Sequence, residues 1–356
     1  MYFVIIGQHK EIAEQAISYL HPSNIKRQKN DIVTFDTDLP ERLLTAWFVI
    51  KWGIVCDTKE LPDHISGFSL LGALNKEIGM MLKKQMPQIR RFKLVDLVHS
   101  DMEIKKEGVE VVDIDGKQRW IVKWYQNIPL YEAVDFGKPV WGMNIGMMPS
   151  KLAHTMINIG IGHHEEIGEN WKLKTEEFAI WDPFCGFWTT NFLANHLWYN
   201  TICSDINITQ AKSNMKRRSS QTFAKDFKTL ILKHDVTAAF PLICHHADII
   251  VTEWWLWHLV SNRTAPHETQ EYAKEVEILY KAFFDNITLL KKQQKSDKNL
   301  TLVITIPVWL KYNISVSQDL ADYLRSLDRK TTLLMTPYSR KWQSVGRQIL
   351  IANIWW

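Results

Sequence analysis

The apolar positions of this chain change period as it runs, and the changes mark out its elements. Short runs rich in Val, Ile, Phe and Leu at residues 2–6, 46–55, 68–71 and 92–97 predict strands. Between them, residues 10–20 and 74–85 carry apolar side chains at helical spacing. The first 125 residues therefore predict an α+β domain, and 126–149 a linker. From residue 150 the alternation becomes regular. Pro149 opens a helix over 151–160, with Leu152, Met156 and Ile159 in one stripe. Strands are predicted at 178–181, from Tyr199 to the acidic Asp205, at 227–232, in 248–257 together with its loop, and at 302–307. The helices between them start at Thr189 and cover 211–217, 268–290 and 320–327, and a hairpin at 338–351 ends the pattern. Alternating strands and helices of this kind predict an α/β, Rossmann-like domain over 150–356.

Composition narrows the class. Hydrophobic content of 46% and charge of 23% are those of an ordinary soluble globular protein. The opening Met1 to Gly7 lacks a basic leader, and no run approaches the 18 apolar residues of a membrane span. A cytoplasmic protein with no membrane partner is expected. The net charge of +4 permits a polyanionic partner without demanding one. Four cysteines, at 56, 185, 203 and 244, show neither C-x-x-C nor metal-ligand spacing, which predicts reduced thiols and no zinc site.

The candidate chemistry lies in the first strand-loop-helix of the second half. Asp182, Pro183 and Gly186 break the strand, and Asp205 stands nineteen residues after Gly186 at the end of the next one. A small-residue loop lets a nucleoside cofactor approach the backbone, and an acid about 20 residues later can bind ribose hydroxyls. The loop reads D-P-F-C-G-x-x-T and not G-x-G-x-x-G. It resembles motif I of class I S-adenosyl-L-methionine (SAM) methyltransferases, in the D-P-F-C-G-x-G-T variant of nucleic-acid guanine and adenine methylases. The resemblance implies SAM as cofactor, held by Asp182, Phe184, Cys185, Gly186, Thr189, Asp205 and Ile206, with Asp235 beyond the third strand facing the adenine amine.

After the fourth strand, amino-methyltransferases carry D-P-P-Y, whose acid and prolyl carbonyl accept hydrogen bonds from the target amine while the aromatic ring stacks the base. Here the prolines are missing, the acid is Glu253 and the aromatic is Trp255. These two are the expected catalytic residues. Tyr2 to Ala13, the strand around Lys51, the stretch from Tyr125 to Asn158 and the ending Tyr338 to Ile351 resemble THUMP-containing tRNA guanine-N2 methyltransferases. The ending implies a complete catalytic domain. In the linker, Val134 and Lys138 stand where that family has arginines, and the loss of guanidinium forks weakens a substrate-phosphate role there. The resemblance implies methyl transfer to an exocyclic nitrogen of RNA, with guanine N2 of tRNA as acceptor. A DNA or rRNA adenine-amine methylase and a non-catalytic RNA-binding protein with a decayed fold are the alternatives. Oligomeric state is not legible.

Tryptophan stands on expected glycines. Trp188 occupies the second glycine of motif I, Trp198 replaces the glycine of x-L-G-Y-N, and Trp47 repeats the anomaly in the first half. Tryptophan numbers 16 and glycine only 15 of 356, whereas average usage of about 7% would give roughly 25 glycines. A source that reads the codon UGA as glycine, as some uncultivated bacteria do, accounts for both numbers. Trp188, Trp198, Trp254 and Trp257 are the surest cases, and an indole at 188 is expected to sit where the methionine part of SAM passes. The alternative is an aromatic-rich RNA-binding protein with genuine tryptophans.

Overall fold

The structure is a computed structural model. It describes residues 1–7, 9–27, 31–46, 48–56, 67–71, 80–81, 83–84, 91–95, 109–113, 119–138, 140, 147–167, 178–218, 229–254, 264–293, 299–327, 329–339 and 343–354. Two compact units, Met1–Asn127 and Ile128–Trp356, divide the chain.

The first unit is built on a sheet of eight strands: β1 (Tyr2–Ile6), β2 (Pro22–Arg27), β3 (Ile32–Thr37), β4 (Val49–Cys56), β5 (Gly67–Leu71), β6 (Arg91–Val95), β7 (Val109–Asp113) and β8 (Arg119–Tyr125). Their order is β2-β3-β1-β4-β8-β7-β5-β6, and β5 runs parallel to both β6 and β7. Helix α1 (Lys10–Ala16) continues as a 3-10 turn through Leu20, which matches the expected helix over 10–20. The predicted helix at 74–85 falls mostly outside the described residues. Strand β2 was invisible to periodicity because its residues, PSNIKR, are nearly all exposed; it exists by pairing with β3. Phe3, Ile5, Ile32, Trp120 and Val122 form a core cluster. Gly53 lets β4 approach β8, since a Cβ there would stand 1.9 Å from the Ile121 carbonyl oxygen.

Within this core lies an ion pair, Lys51 Nζ to Glu110 at 3.2 Å, with both side chains at most 2% exposed and the ammonium 5.7 Å from the Tyr125 ring centre. Removing one partner strands the other charge in the core. Lys51→Met is therefore expected to destabilise the unit by about 3–5 kcal/mol, read as a lower denaturation midpoint with unchanged slope. A loss below 1 kcal/mol would mean that solvent reaches the pair.

The second unit is a doubly wound sheet. Its helices are α2 (Ile128–Phe136), α3 (Ser150–Ile167), α4 (Thr189–His196), α5 (Thr209–Arg218), α6 (Pro266–Gln293) and α7 (Ser317–Ser326). Its strands are β9 (Ala179–Asp182), β10 (Asn200–Asp205), β11 (Thr229–Lys233), β12 (Ile249–Glu253), β13 (Leu300–Trp309), the short β14 (Ile314–Ser315), β15 (Lys330–Tyr338) and β16 (Val345–Ile354). The order is β11-β10-β9-β12-β13-β16-β15, with β14 beside β13. Strands β9 to β13 are parallel, and β16 runs antiparallel between β13 and β15. This is the Rossmann-like α/β fold that the alternation predicts. Helix α2 lies inside the stretch read as linker, and the Asp135 carboxylate accepts the Ser150 N–H at the start of α3. Trp181 is fully buried at the centre, donates to Ser204 Oγ at 2.9 Å and meets Phe240 edge-on. Among the described residues no helix is long and apolar enough to cross a membrane.

Candidate active site

Strand order reverses on either side of β9, so the loops after β9 and β12 diverge and leave a crevice at the carboxyl ends of the strands. A cavity of about 440 Å³ occupies it, within the range of cofactor sites. Asp182, Phe184, Cys185, Gly186, Thr189, Asp205, Ile206, Asp235 and Glu253 all line it. Trp255 lies outside the described residues.

The loop after β9 is shaped by its own backbone. Gly186 takes φ +37° and donates its N–H to Asp205 Oδ2 at 2.9 Å, while Asp205 Oδ1 accepts from the Asn207 N–H. Burial pushes the Asp205 carboxyl up, and these N–H groups pull it back. Asp205 thus joins the two loops and keeps lone pairs for a hydroxyl partner. Ile206, 61% exposed, forms the apolar lip beside it. Asp235 is exposed on the next loop, where one oxygen caps its own turn through the Thr237 N–H and hydroxyl; those bonds hold its pKa low.

Asp182 is buried under the loop. Its Oδ1 accepts from the Thr252 hydroxyl at 2.6 Å and the Phe184 N–H at 3.2 Å. Burial outweighs these bonds and pushes the carboxyl up to about 7. The folded state therefore binds the proton more tightly than the unfolded chain, and the protonated form stabilises the fold. That stability is full below about pH 4 and is lost as pH rises through 7, at about 1.4 kcal/mol per unit of separation. Asp182→Asn is expected to flatten this part of the stability–pH curve. Urea titrations at pH 4, 5.5 and 7 that keep the wild-type slope would refute the assignment.

Two expectations are corrected here, and Lys138 takes a role the sequence did not assign. Cys185 and Cys203 form a disulfide across the loop and β10, with Cα atoms 5.5 Å apart. Their separation of 18 residues matches no redox motif, and parallel β9–β10 pairing brings them together. Trp188 does not obstruct the cavity: its side chain is fully buried with Cys185, Cys203 and Ala211 behind the loop, because a left-handed backbone turns its Cβ inward. Lys138 reaches the cofactor loop, where its ammonium donates to Thr189 Oγ1 at 2.6 Å. Burial lowers its pKa to about 7, so it serves as an anchor for the loop and not as an exposed phosphate contact.

The acceptor side is built from β12, α6 and β16. Glu253 ends β12 and is buried; one carboxylate oxygen accepts from Arg347 Nε, and the other has no hydrogen-bond partner among the described residues. Burial pushes Glu253 up and the Arg347 guanidinium pulls it back. Tyr280 of α6 fixes the start of the loop, since its hydroxyl accepts the Trp254 N–H and donates to the Thr305 carbonyl. Trp254 stacks on Phe184 with ring centres 5.3 Å apart. Sequence reasoning missed the roles of Lys138, Tyr280 and Arg347; only the two departures at 134 and 138 carried a signal for any of them.

No family model matches this chain, and no curated protein does. Among solved structures it is similar to TrmN from Thermus thermophilus, with TM-score 0.47 and 12% identity over 99% of each chain. A human methyltransferase 10 domain containing protein aligns with TM-score 0.38 and 14% identity, over 64% of this chain and 92% of that one. The magnesium protoporphyrin IX methyltransferase of Synechocystis PCC 6803, solved with bound SAM, gives TM-score 0.35 and 12% identity over 64% and 95%.

Proposed function

We propose that this chain is a SAM-dependent RNA methyltransferase acting on an exocyclic base nitrogen, guanine N2 of tRNA being the acceptor the reading favours. One observation carries it: Glu253, with one oxygen held by Arg347 and the other without a partner among the described residues, lines the same crevice as Asp205 and the Gly186 loop. The donor set suits SAM. Asp205 offers lone pairs to ribose hydroxyls, Asp235 of the same cavity is read as the partner of the adenine amine, and Ile206, Met147, Met148 and Val236 supply apolar walls. When bound, SAM supplies an electrophilic methyl group. Glu253 accepts a hydrogen bond from the target amine and holds its nitrogen in line, and Trp255 stacks the base once it has left its helix. No strong base is needed, because the nitrogen sheds its extra proton after it is methylated. The unit Met1–Asn127 is assigned to RNA delivery, as a THUMP-like module.

Asp205→Ala tests the cofactor half of this reading. It removes a carboxylate that would hydrogen-bond ribose, and SAM affinity is expected to fall by about 1.5–3 kcal/mol. Calorimetry that finds unchanged affinity in a folded variant removes Asp205 from the site. Nucleoside mass spectrometry of tRNA from cells with and without the gene tests the acceptor. A wild-type chain that binds no SAM returns the protein to the non-catalytic alternative.

The tryptophan anomaly belongs to the same proposal: Trp188 and Trp198 are read as native glycines. Both adopt left-handed backbone, φ 66° and 71°, where a bulky residue is an outlier. Trp198 follows α4 as the left-handed residue of a Schellman cap: its N–H bonds the Asn195 carbonyl, and the Tyr199 N–H bonds that of Ala194. That position is usually glycine. Trp254 carries no such backbone signature, and Trp257 lies outside the described residues.

A further inference from the structure

Buried polar atoms are nearly always hydrogen-bonded, so the Glu253 oxygen that has no partner among the described residues calls for a reason. Glu253 pairs in parallel register with Thr305 of β13, and Arg347 of β16 stands opposite Pro307 of the same strand. Arg347 therefore reaches across β13 to hold Glu253 from the side, and both side chains are 5% exposed. The ionisable groups that interact with Glu253 are Arg347 from β16 and Tyr280 from α6, and the Tyr280 hydroxyl in turn feels the Asp182 carboxylate of β9. Arg347 is the cation of this set. The oxygen of Glu253 left without a partner among the described residues belongs to a residue of the cavity wall.

We propose that Arg347 is a positioning residue of the acceptor site: it pins one oxygen of Glu253 and leaves the other for the incoming base, so that the site takes an edge bearing N–H donors and turns away an edge bearing a carbonyl. The proposal rests on the reading of Glu253 as acceptor of the target amine. Arg347 opposes the effect of burial and favours the ionised carboxylate; a protonated acid would offer a donor where the amine needs an acceptor. Removing the guanidinium leaves burial unopposed and raises the pH at which Glu253 ionises.

Arg347→Met and Arg347→Lys separate this role from a merely structural one. With bulk tRNA and labelled SAM, Arg347→Met is expected to lower kcat at least 100-fold while the SAM Kd stays within about twofold, and its residual rate rises with pH. Arg347→Lys restores the charge without the fork and should recover part of the rate, to between about a tenth and a half of wild type. An isotope-edited infrared titration of the Glu253 carboxylate, assigned by difference against Glu253→Gln and done without RNA, should move to higher pH in Arg347→Met. Wild-type kcat in that variant, an unmoved titration, or SAM affinity falling with the rate in both variants would overturn the proposal. If Arg347→Met does not fold, the same readouts on Arg347→Lys decide: a lowered kcat at unchanged SAM affinity supports it, and an unaltered kcat overturns it. A wild-type chain that methylates no RNA sinks the methyltransferase reading, while a shifted titration still identifies Arg347 as the group that sets Glu253.

Discussion

Glu253→Gln is expected to abolish methyl transfer, by at least 1000-fold in kcat, while SAM binds within about twofold of wild type. The variant keeps the shape of the side chain and removes the charge, so two effects have to be told apart. The first is local to the reaction: an amide can present its N–H2 to the incoming amine, where donor meets donor and the acceptor nitrogen is no longer held in line. The second concerns folding. Arg347 loses its anionic partner inside the sheet, and a stranded buried charge costs about 3–5 kcal/mol. A paired variant, Glu253→Gln with Arg347→Met, removes that stranded charge. It should regain most of the thermal stability and none of the activity. Cofactor affinity lost together with transfer in the folded paired variant would place Glu253 in the SAM site instead, and transfer that survives would take it out of the reaction.

The parts of this site that could be read from sequence are those that local chain geometry builds. Asp182, Gly186 and Asp205 belong to one strand-loop-helix-strand segment, and the loop chemistry shows in residue order. Their mutual contact, Gly186 N–H to the Asp205 carboxylate, spans 19 residues. Lys138 and Thr189 are 51 residues apart, and Arg347 and Glu253 are 94 apart. The first pair joins the segment after α2 to the start of α4 and the second is set by sheet order; residue order shows neither. Tyr280 was hidden for another reason: it sits on the buried stripe of α6, where an aromatic reads as core, and its hydroxyl contributes what the stripe cannot show. The disulfide escaped because two cysteines on neighbouring elements need no motif spacing. The obstruction assigned to Trp188 failed because residue order gives position along the loop and not the side to which a left-handed residue points.

Trp198→Gly is expected to raise stability by about 1–2 kcal/mol, the cost per residue of left-handed backbone for a side chain that has a Cβ. A tryptophan replaced by glycine almost always destabilises, so the sign alone is informative. The indole of Trp198 is 55% exposed and loses little packing on removal. Trp188 is the sharper test because its indole is fully buried. If tryptophan is native there, Trp188→Gly empties a core site, at about 3–5 kcal/mol, and regains about 1–2 from the backbone. The net loss would be plain in a urea titration. If glycine is native, the surrounding Cys185, Cys203 and Ala211 were selected to close on the backbone, and the same substitution should be neutral or stabilising. Protein with glycine at 188, 198, 254 and 257 is then expected to bind SAM, and the tryptophan form to bind it weakly or misfold. With the indole behind the loop, this effect acts through strain at Gly186 to Thr189 and not by blocking the cavity. The gene gives an independent answer: in-frame UGA at these four codons and UGG at Trp181, whose indole is buried and hydrogen-bonded to Ser204. UGG throughout, with Trp188→Gly costing several kcal/mol, would return all of these tryptophans to the status of native residues.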